Sequence, residues 1–211
     1  MKSSRRRTHL AKWGAVVSIA ALALSGCAST PDDGGEPTPS EKGTLNIGVS
    51  RSPNSFDPLL SFLGGQYMQH LDPVYDTLIK MNADGSFSPS LATEWKYIDG
   101  TSFELKLRDD VVFSDGTTKF NAEVVKTNLD RLKTVNGPQT SDLSNQYEST
   151  EIVDDHTVIV HLSGPNPDLE RIFSQLIGMM VNPTALAANE EGIATNPAGS
   201  GPYVLDEANT V

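Results

Sequence analysis

The strongest pattern along the chain is a strict alternation of apolar and polar residues at positions 102–108 (SFELKLR). This period of two predicts a β-strand with one buried face, and residues 90–98 lead directly into it. Two further β-type segments, residues 149–153 and 157–162, flank Asp154-Asp155-His156 and predict a β-hairpin. The centre of the chain is therefore predicted to form antiparallel β-structure.

Helical periodicity is clearest at residues 121–133 (NAEVVKTNLDRLK), which begin with a suitable N-cap, Asn121. The apolar residues of this segment fall on one side: Val124, Val125, Leu129 and Leu132. Residues 66–81 also have helical spacing, but Pro73 must then lie in the first turn or kink the helix. A further helix is predicted at residues 166–177.

We expect the core to form between the predicted strand and the predicted helix. Phe103, Leu105 and Leu107 line the apolar face of the strand, and packing this face against helix 121–133 removes both from water. Weaker patterns predict strands at 45–50 and 111–113, a strand followed by a helix within 179–188, a final strand after Tyr203, and turns at Asp84-Gly85 and Ser114-Asp115-Gly116. Residues 52–58 and 136–149 are predicted loops. The fold class is thus mixed α/β with several antiparallel strand pairs.

The N-terminus has the order of a bacterial export signal. Five basic residues precede an apolar run at residues 13–24, and Leu24-Ser25-Gly26-Cys27 completes it. This tetrapeptide resembles a lipobox, which implies that residues 1–26 are removed and that Cys27 carries the lipid. The apolar run is shorter than the about 20 residues of a membrane-spanning helix. Export by the general secretory route or by the twin-arginine route stays open.

Composition divides the remaining chain into a spacer and one domain. Residues 27–43 are rich in Pro, Gly, Asp and Glu and predict a flexible spacer, while residues 44–211 are long enough for one medium domain. The formal net charge of −11 argues against nucleic acid or anionic lipid headgroups as partners, because both require basic patches. Cys27 is the only cysteine, so no disulfide can form within the chain.

Several short motifs, each weak alone, together resemble one protein family. In chain order they are Phe56-Asp57-Pro58, Val74-Tyr75-Asp76-Thr77-Leu78, Gly85-x-Phe87-x-Pro89-x-Leu91-Ala92-x-x-Trp95, Phe103-x-Leu105-x-Leu107-Arg108, Val112-Phe113-Ser114-Asp115-Gly116-Thr117, Phe120-Asn121-Ala122-Glu123-Val124 and Gly199-Ser200-Gly201-Pro202-Tyr203. The set resembles the extracytoplasmic solute-binding proteins of the peptide/nickel class of ABC importers, family 5. Two positions depart from the family pattern, since Ser200 replaces the commoner Thr and Glu123 replaces the usual Asp.

This resemblance implies both a fold and a function. The fold is a periplasmic-binding-protein type II-like lobe with a mixed sheet, and the function is capture of a peptide or similar small solute for ABC permease subunits. It implies no enzyme activity, cofactor or metal, and a place at the extracytoplasmic face of the cell membrane, held there by the lipid on Cys27. Because family members are much longer, we expect residues 44–211 to be an incomplete N-terminal portion, truncated before the second lobe.

The resemblance also supplies candidate site residues. The loop after the first strand enters the family's ligand cleft, which makes Asn54, Ser55 and Phe56 candidate ligand-binding residues. A role confined to the turn fits Asn54 and Ser55 equally well. His156 and His161 are five positions apart in a predicted hairpin, so strand alternation puts them on opposite faces and no metal site is predicted.

Two other function classes are alternatives. A surface hydrolase is disfavoured, because Ser200 lies in Gly-Ser-Gly rather than in a nucleophile elbow and no nucleophile–base–orienter set is visible. A non-transporting surface lipoprotein built from part of the fold is the second alternative. The resemblance leaves the ligand open among peptides, nickel complexes, sugars and antibiotics.

Overall fold

An antiparallel sheet of four strands dominates the computed structural model, which describes residues 47–63 and 65–206. The strands are β1 (Ile79–Met81), β2 (Phe87–Pro89), β3 (Ala92–Tyr97), β4 (Ser102–Leu107), β5 (Tyr147–Asp154) and β6 (Thr157–Leu162). The helices are α1 (Gly65–Leu71), α2 (Ala122–Asp130), α3 (Ser141–Ser144), α4 (Leu169–Phe173) and α5 (Pro183–Asn189). The predicted signal, Cys27 and the whole of the predicted spacer lie outside the described residues.

The main sheet has the strand order β3-β4-β6-β5, and every neighbouring pair is antiparallel. Within it Phe103 lies opposite Val160 and Leu105 opposite Val158. The remaining strands, β1 and β2, form a separate two-stranded sheet. The predicted strand 102–108 and the predicted hairpin are therefore confirmed, and the predicted mixed α/β fold with antiparallel pairs is confirmed with them.

Helix α2 packs on β5 and β6 and buries its apolar side as predicted. Asn121 is the N-cap, because its side-chain oxygen accepts a hydrogen bond from the Val124 amide at 3.2 Å. Helix α4 adds Phe173, whose ring centroid lies 5.9 Å from that of Phe103. Leu105, Leu107 and the apolar side of α2 belong to the same buried cluster, so the predicted core is confirmed.

The opposite face of the sheet carries charged residues in cross-strand pairs. Lys96 lies 3.0 Å from Glu104, and Lys106 lies 2.7 Å from Glu94. These exposed pairs contribute little to stability, since solvent screens them. They mark this face as the solvated side of the sheet, which is why β4 alternates between apolar and charged residues.

A second buried cluster lies beside the first and joins α1, the segment after it and α5. Its members are Leu71, Val74, Tyr75, Leu176, Met179, Val181, Leu186 and Ile193. Half of these residues come from irregular segments, and two more lie in 3₁₀ turns. This cluster is therefore held in place by polar contacts between loops as well as by packing.

The predicted helix at residues 66–81 is wrong beyond Leu71. Helix α1 ends there, two positions before Pro73. Proline disfavours the helical conformation of the residue before it and offers no N–H to a helix. The chain then turns and forms β1 instead.

The weaker strand predictions fail in the described residues because no long pairing partner meets them. Residues 47–50 form no strand, and neither do residues 203–206. Val112 and Met179 each make one isolated bridge, to Lys119 and Thr77. A strand is stabilised by cross-strand neighbours along its length, so a single bridge leaves these segments irregular.

Three further predictions, two of helices and one of a loop, need adjustment. The helix predicted at 166–177 is only α4, followed by a 3₁₀ turn at Leu176–Gly178, and the loop predicted at 136–149 contains α3 and the start of β5. Residues 179–188 do end in a helix, α5, which begins at Pro183. Across residues 47–63 and 65–206, no helix has the length and hydropathy to cross a membrane.

The register of β4 generates a direct prediction. Leu105 is fully buried whereas Lys106, its neighbour, is exposed. Leu105→Ala should lower the free energy of unfolding by about 2–5 kcal/mol, because a buried leucine leaves a cavity. Lys106→Ala should change it by less than about 0.5 kcal/mol. Urea unfolding of both variants measures this, and equal small effects would contradict the observed register.

Candidate functional site

Polar residues from four of the motifs meet other polar side chains around the second buried cluster, and we call this set the polar joint. Its members are Asp57, Asp76, Asp115, Asn128, Arg131, Asn182, Glu190 and Ser200. Each one contacts a segment that is distant in the sequence. The joint connects the loop at residues 54–63, α2, α5 and the Gly-Ser-Gly segment.

An ion triad with two buried members and one exposed member lies in the joint. The Arg131 guanidinium donates through Nη2 to Asp57 and through Nε to Glu190 at 2.9 Å. The Asp57 side chain is 1% exposed and that of Arg131 is 9% exposed, whereas Glu190 is 52% exposed. Buried charges require such pairing, so the triad fixes the loop against the end of α2.

Asn128 joins α2 to the segment before α5. Its amide nitrogen donates to the Val181 carbonyl at 2.8 Å and to Val124 within α2 at 3.0 Å. Its oxygen accepts from the Val181 amide at 3.0 Å. The side chain thus makes both hydrogen bonds that a neighbouring strand would make to Val181.

Asp115 and Asn182 form the next connection. The Asp115 carboxylate accepts from the Thr118 hydroxyl and from the amides of Thr117 and Thr118, and these bonds hold its pKa well below the ordinary value. Asn182 donates to the same carboxylate at 2.8 Å and caps α5 by accepting from Thr184 at 2.8 Å. The predicted turn at this position is confirmed, since Gly116 has a φ of 71°.

The Gly-Ser-Gly segment lies directly against the chain after α1. Ser200 donates to Asp76 at 2.9 Å, and the Gly201 amide donates to the Val74 carbonyl at 2.8 Å. At Gly199 the approach is close, because a Cβ there would lie 2.0 Å from the Val74 oxygen. A side chain at this position would separate the two segments.

A cavity of about 600 Å³ opens beside the joint. Its lining combines apolar and charged residues: Leu63, Met68, Asp72, Tyr75, Asp76, Thr77, Lys80, Met81, Ser90, Ser174 and Gln175. Partial burial raises the pKa of the Asp72 carboxyl, because removal of water penalises the charged form. Two carboxylates and one ammonium group therefore surround a space large enough for a small solute.

The predicted ligand-binding residues lie in the loop at residues 54–63, which borders this cavity through Leu63. Asn54 closes the loop by donating to Leu60 at 2.8 Å and accepting from Phe62 at 3.1 Å. Ser55 accepts from the Asp57 amide at 3.0 Å. These contacts fit the turn role that the sequence allowed for Asn54 and Ser55, and ligand contact by them stays a prediction.

Phe56 contacts a segment outside the loop. Its amide donates to the Ala194 carbonyl at 2.9 Å, and its side chain is half-buried. Leu60 and Phe62 are exposed instead, at 38% and 45%. The side chains that the loop presents to solvent are therefore apolar ones further along it.

The two histidines of the hairpin lie in different surroundings. His161 Nε2 is 2.9 Å from the Glu151 carboxylate on the neighbouring strand, while His156 lies in the turn between β5 and β6. Among residues 47–63 and 65–206, no group of three or more His, Cys, Asp or Glu side chains could hold a metal ion.

Asn128, Arg131 and Asn182 were missed by the sequence reasoning. A signal for two of them was present, since Asn128 and Arg131 are four and seven positions after Val124 on the predicted apolar side of α2. Polar residues at such positions are buried and need partners. The identity of those partners depends on the tertiary structure.

The family model for bacterial extracellular solute-binding proteins, family 5 Middle, matches residues 86–210. The chain therefore belongs to family 5 of the bacterial extracellular solute-binding proteins. It is 38% identical over 112 residues to the glutathione-binding protein GsiB of Shigella flexneri, and 37% identical to that of Escherichia coli strain K12. These matches cover 53% of this chain and 22% of each relative, so the matched region is about a fifth of their length.

Solved structures agree with this assignment. NikA from Brucella suis, in complex with Fe(III)-EDTA, has a TM-score of 0.64 and 32% identity, with 75% of this chain and 32% of that chain covered. A dipeptide-binding protein from Pseudoalteromonas sp. SM9913, in complex with Met-Leu, has a TM-score of 0.66 and 25% identity, with 75% and 36% covered. The predicted periplasmic-binding-protein type II-like fold is confirmed, and family 5 proteins serve ABC importers as binding components rather than as enzymes.

Proposed function

We propose that this chain supplies one wall of the ligand site of a lipid-anchored receptor that delivers a peptide or similar small solute to an ABC importer. Membership of family 5, carried by the match over residues 86–210, is the observation that supports it most directly. The partners are the importer's permease subunits and the membrane, which is reached through the lipid on Cys27. The location is the extracytoplasmic face of the cell membrane.

Two of the similar proteins support a short peptide as the ligand, whereas NikA was solved with Fe(III)-EDTA. The two are a glutathione-binding protein and a protein solved with the dipeptide Met-Leu. Glutathione and Met-Leu each carry an ammonium group and at least one carboxylate. A site for such a ligand needs groups of both signs, and the cavity offers Asp72, Asp76 and Lys80.

Within the cavity we assign the ligand's ammonium group to the Asp72 side. Asp76 already accepts a hydrogen bond from Ser200, whereas partial burial of Asp72 disfavours its charged form in the absence of a cation. An ammonium group beside Asp72 would relieve that cost. Lys80, on β1, would then face a ligand carboxylate.

Titration calorimetry with glutathione and Met-Leu tests this proposal. We expect at least one of them to bind, and Asp72→Asn to weaken that binding about tenfold, because a charge-assisted hydrogen bond to the ammonium group is lost. Binding should also weaken on acidification, because protonation of Asp72 removes its charge and its raised pKa brings this about at less acidic pH than for an ordinary aspartate.

Asp142→Asn is the matched control, since Asp142 is an exposed aspartate on α3, outside the cavity lining. It should leave affinity unchanged. Failure of both peptides to bind at millimolar concentration, or equal affinity in the Asp72→Asn variant, would contradict the proposal.

Lipid anchoring is tested at Cys27. In a bacterial host, Cys27→Ala removes the only thiol of the chain, so the mature protein should lose acyl label and leave the membrane fraction. Ser25→Ala, one small residue for another within the lipobox, should retain both. Membrane-bound, acyl-labelled Cys27→Ala protein would show that the anchor is elsewhere.

A further inference from the structure

The loop at residues 54–63 is held by contacts that the proposed ligand site does not itself use. Asn54 closes it internally, and Asp57 caps its 3₁₀ turn, Pro58–Leu60, by accepting from the Leu59 amide at 3.0 Å. These bonds shape the loop but connect it to nothing outside. The loop's place on the protein must therefore be determined by other contacts.

Apolar and polar contacts connect the loop to distant segments. Leu59 lies in the main buried cluster, and Leu63 packs against the second one. The Phe56 amide donates to the Ala194 carbonyl, and Asp57 pairs with Arg131, 74 positions away in the sequence. Of these contacts, only the ion pair involves groups whose separation would leave a charge buried without a partner.

Arg131 uses separate nitrogens for its two carboxylate partners. Nη2 reaches Asp57 in the loop, and Nε reaches Glu190 at the end of α5. A guanidinium can serve two directions because its donors form a rigid planar fork, which a lysine ammonium does not provide. The loop, α2 and α5 therefore meet at one side chain.

We propose that Arg131 is the positioning residue of the ligand loop: through Asp57 it holds residues 54–63 where Leu63 forms part of the cavity wall. Arg131 does not line the cavity and would not touch a ligand there. Its effect on binding would be indirect, through the location of the loop. The expected effect on ligand binding rests on the proposed function. The positioning of the loop by Arg131 does not depend on it.

Hydrogen exchange read by mass spectrometry on the full chain tests the positioning. In Arg131→Lys, peptides covering residues 54–63 should exchange about tenfold faster, as expected when one hydrogen bond between charged groups is weakened. Peptides covering residues 103–107, in the core, should exchange at the unchanged rate. The comparison of the two regions separates local opening of the loop from global unfolding of the protein.

A second variant keeps the test valid if removal of the Arg131 charge alone prevents folding. Arg131→Met alone would leave Asp57 buried and unpaired, so Asp57→Asn is combined with it, which removes both charges together. This double variant should also raise exchange at residues 54–63 while sparing 103–107. Arg108→Lys is the matched control, because Arg108 forms an exposed pair with Asp110, and it should change neither region.

Titration with glutathione measures the effect of the loop position on ligand binding. The affinity for glutathione should fall about tenfold in Arg131→Lys and stay unchanged in Arg108→Lys. Unchanged exchange at residues 54–63 in both Arg131 variants would overturn the positioning role, and so would a parallel rise at 103–107, which indicates a general loss of stability. If the wild-type chain binds no glutathione, the proposed ligand fails, and the exchange rates still decide the role of Arg131.

Discussion

The carboxylate of Asp57 and the guanidinium of Arg131 meet where almost no solvent reaches them. Neither charge can remain there alone, because an ion removed from water without a partner is strongly unfavourable. The loop at residues 54–63 and helix α2 must therefore stay together as long as the chain is folded. Other contacts of the polar joint, such as those of Asn128 and Ser200, connect further pairs of distant segments around the same buried cluster.

The family motifs have a structural meaning in this protein. Phe56-Asp57-Pro58 supplies the ion pair, Ser114-Asp115-Gly116 supplies the turn that receives Asn182, and Gly-Ser-Gly supplies the segment that lies on Val74. Each motif meets a segment far away in the chain. They join irregular segments around the second cluster, and the proposed ligand contacts Asp72 and Lys80 lie outside them.

Much of the main sheet and α2 could be predicted, because their signals are local. The alternation at Phe103 and Leu105 follows from the strand period, and the helical stripe with its Asn121 cap follows from the helix period. These patterns need no knowledge of which segments meet. Pro73 was also visible, but its position relative to the helix end was not, so α1 was predicted too long.

The polar joint could not be predicted in the same way. Asn128 contacts Val181, 53 positions away, and nothing near Asn128 in the sequence names that partner. The same holds for Asp57 and Arg131. Single-sequence patterns show that a polar residue lies on an apolar side, and only the tertiary structure shows which group it meets. The cavity depends on the same long-range contacts, so its lining residues Asp72 and Lys80 could not be predicted from the sequence.

The central claim is that the motif residues join distant segments by close contact, and Gly199 tests it most directly. Gly199→Ala would place a Cβ 2.0 Å from the Val74 oxygen, whereas Gly164→Ala meets nothing within 4 Å. Urea unfolding of the two variants is the decisive measurement. The account predicts a loss of about 1–3 kcal/mol for Gly199→Ala, as is typical of overpacking, and no loss for Gly164→Ala. Equal stability of the two variants would contradict it.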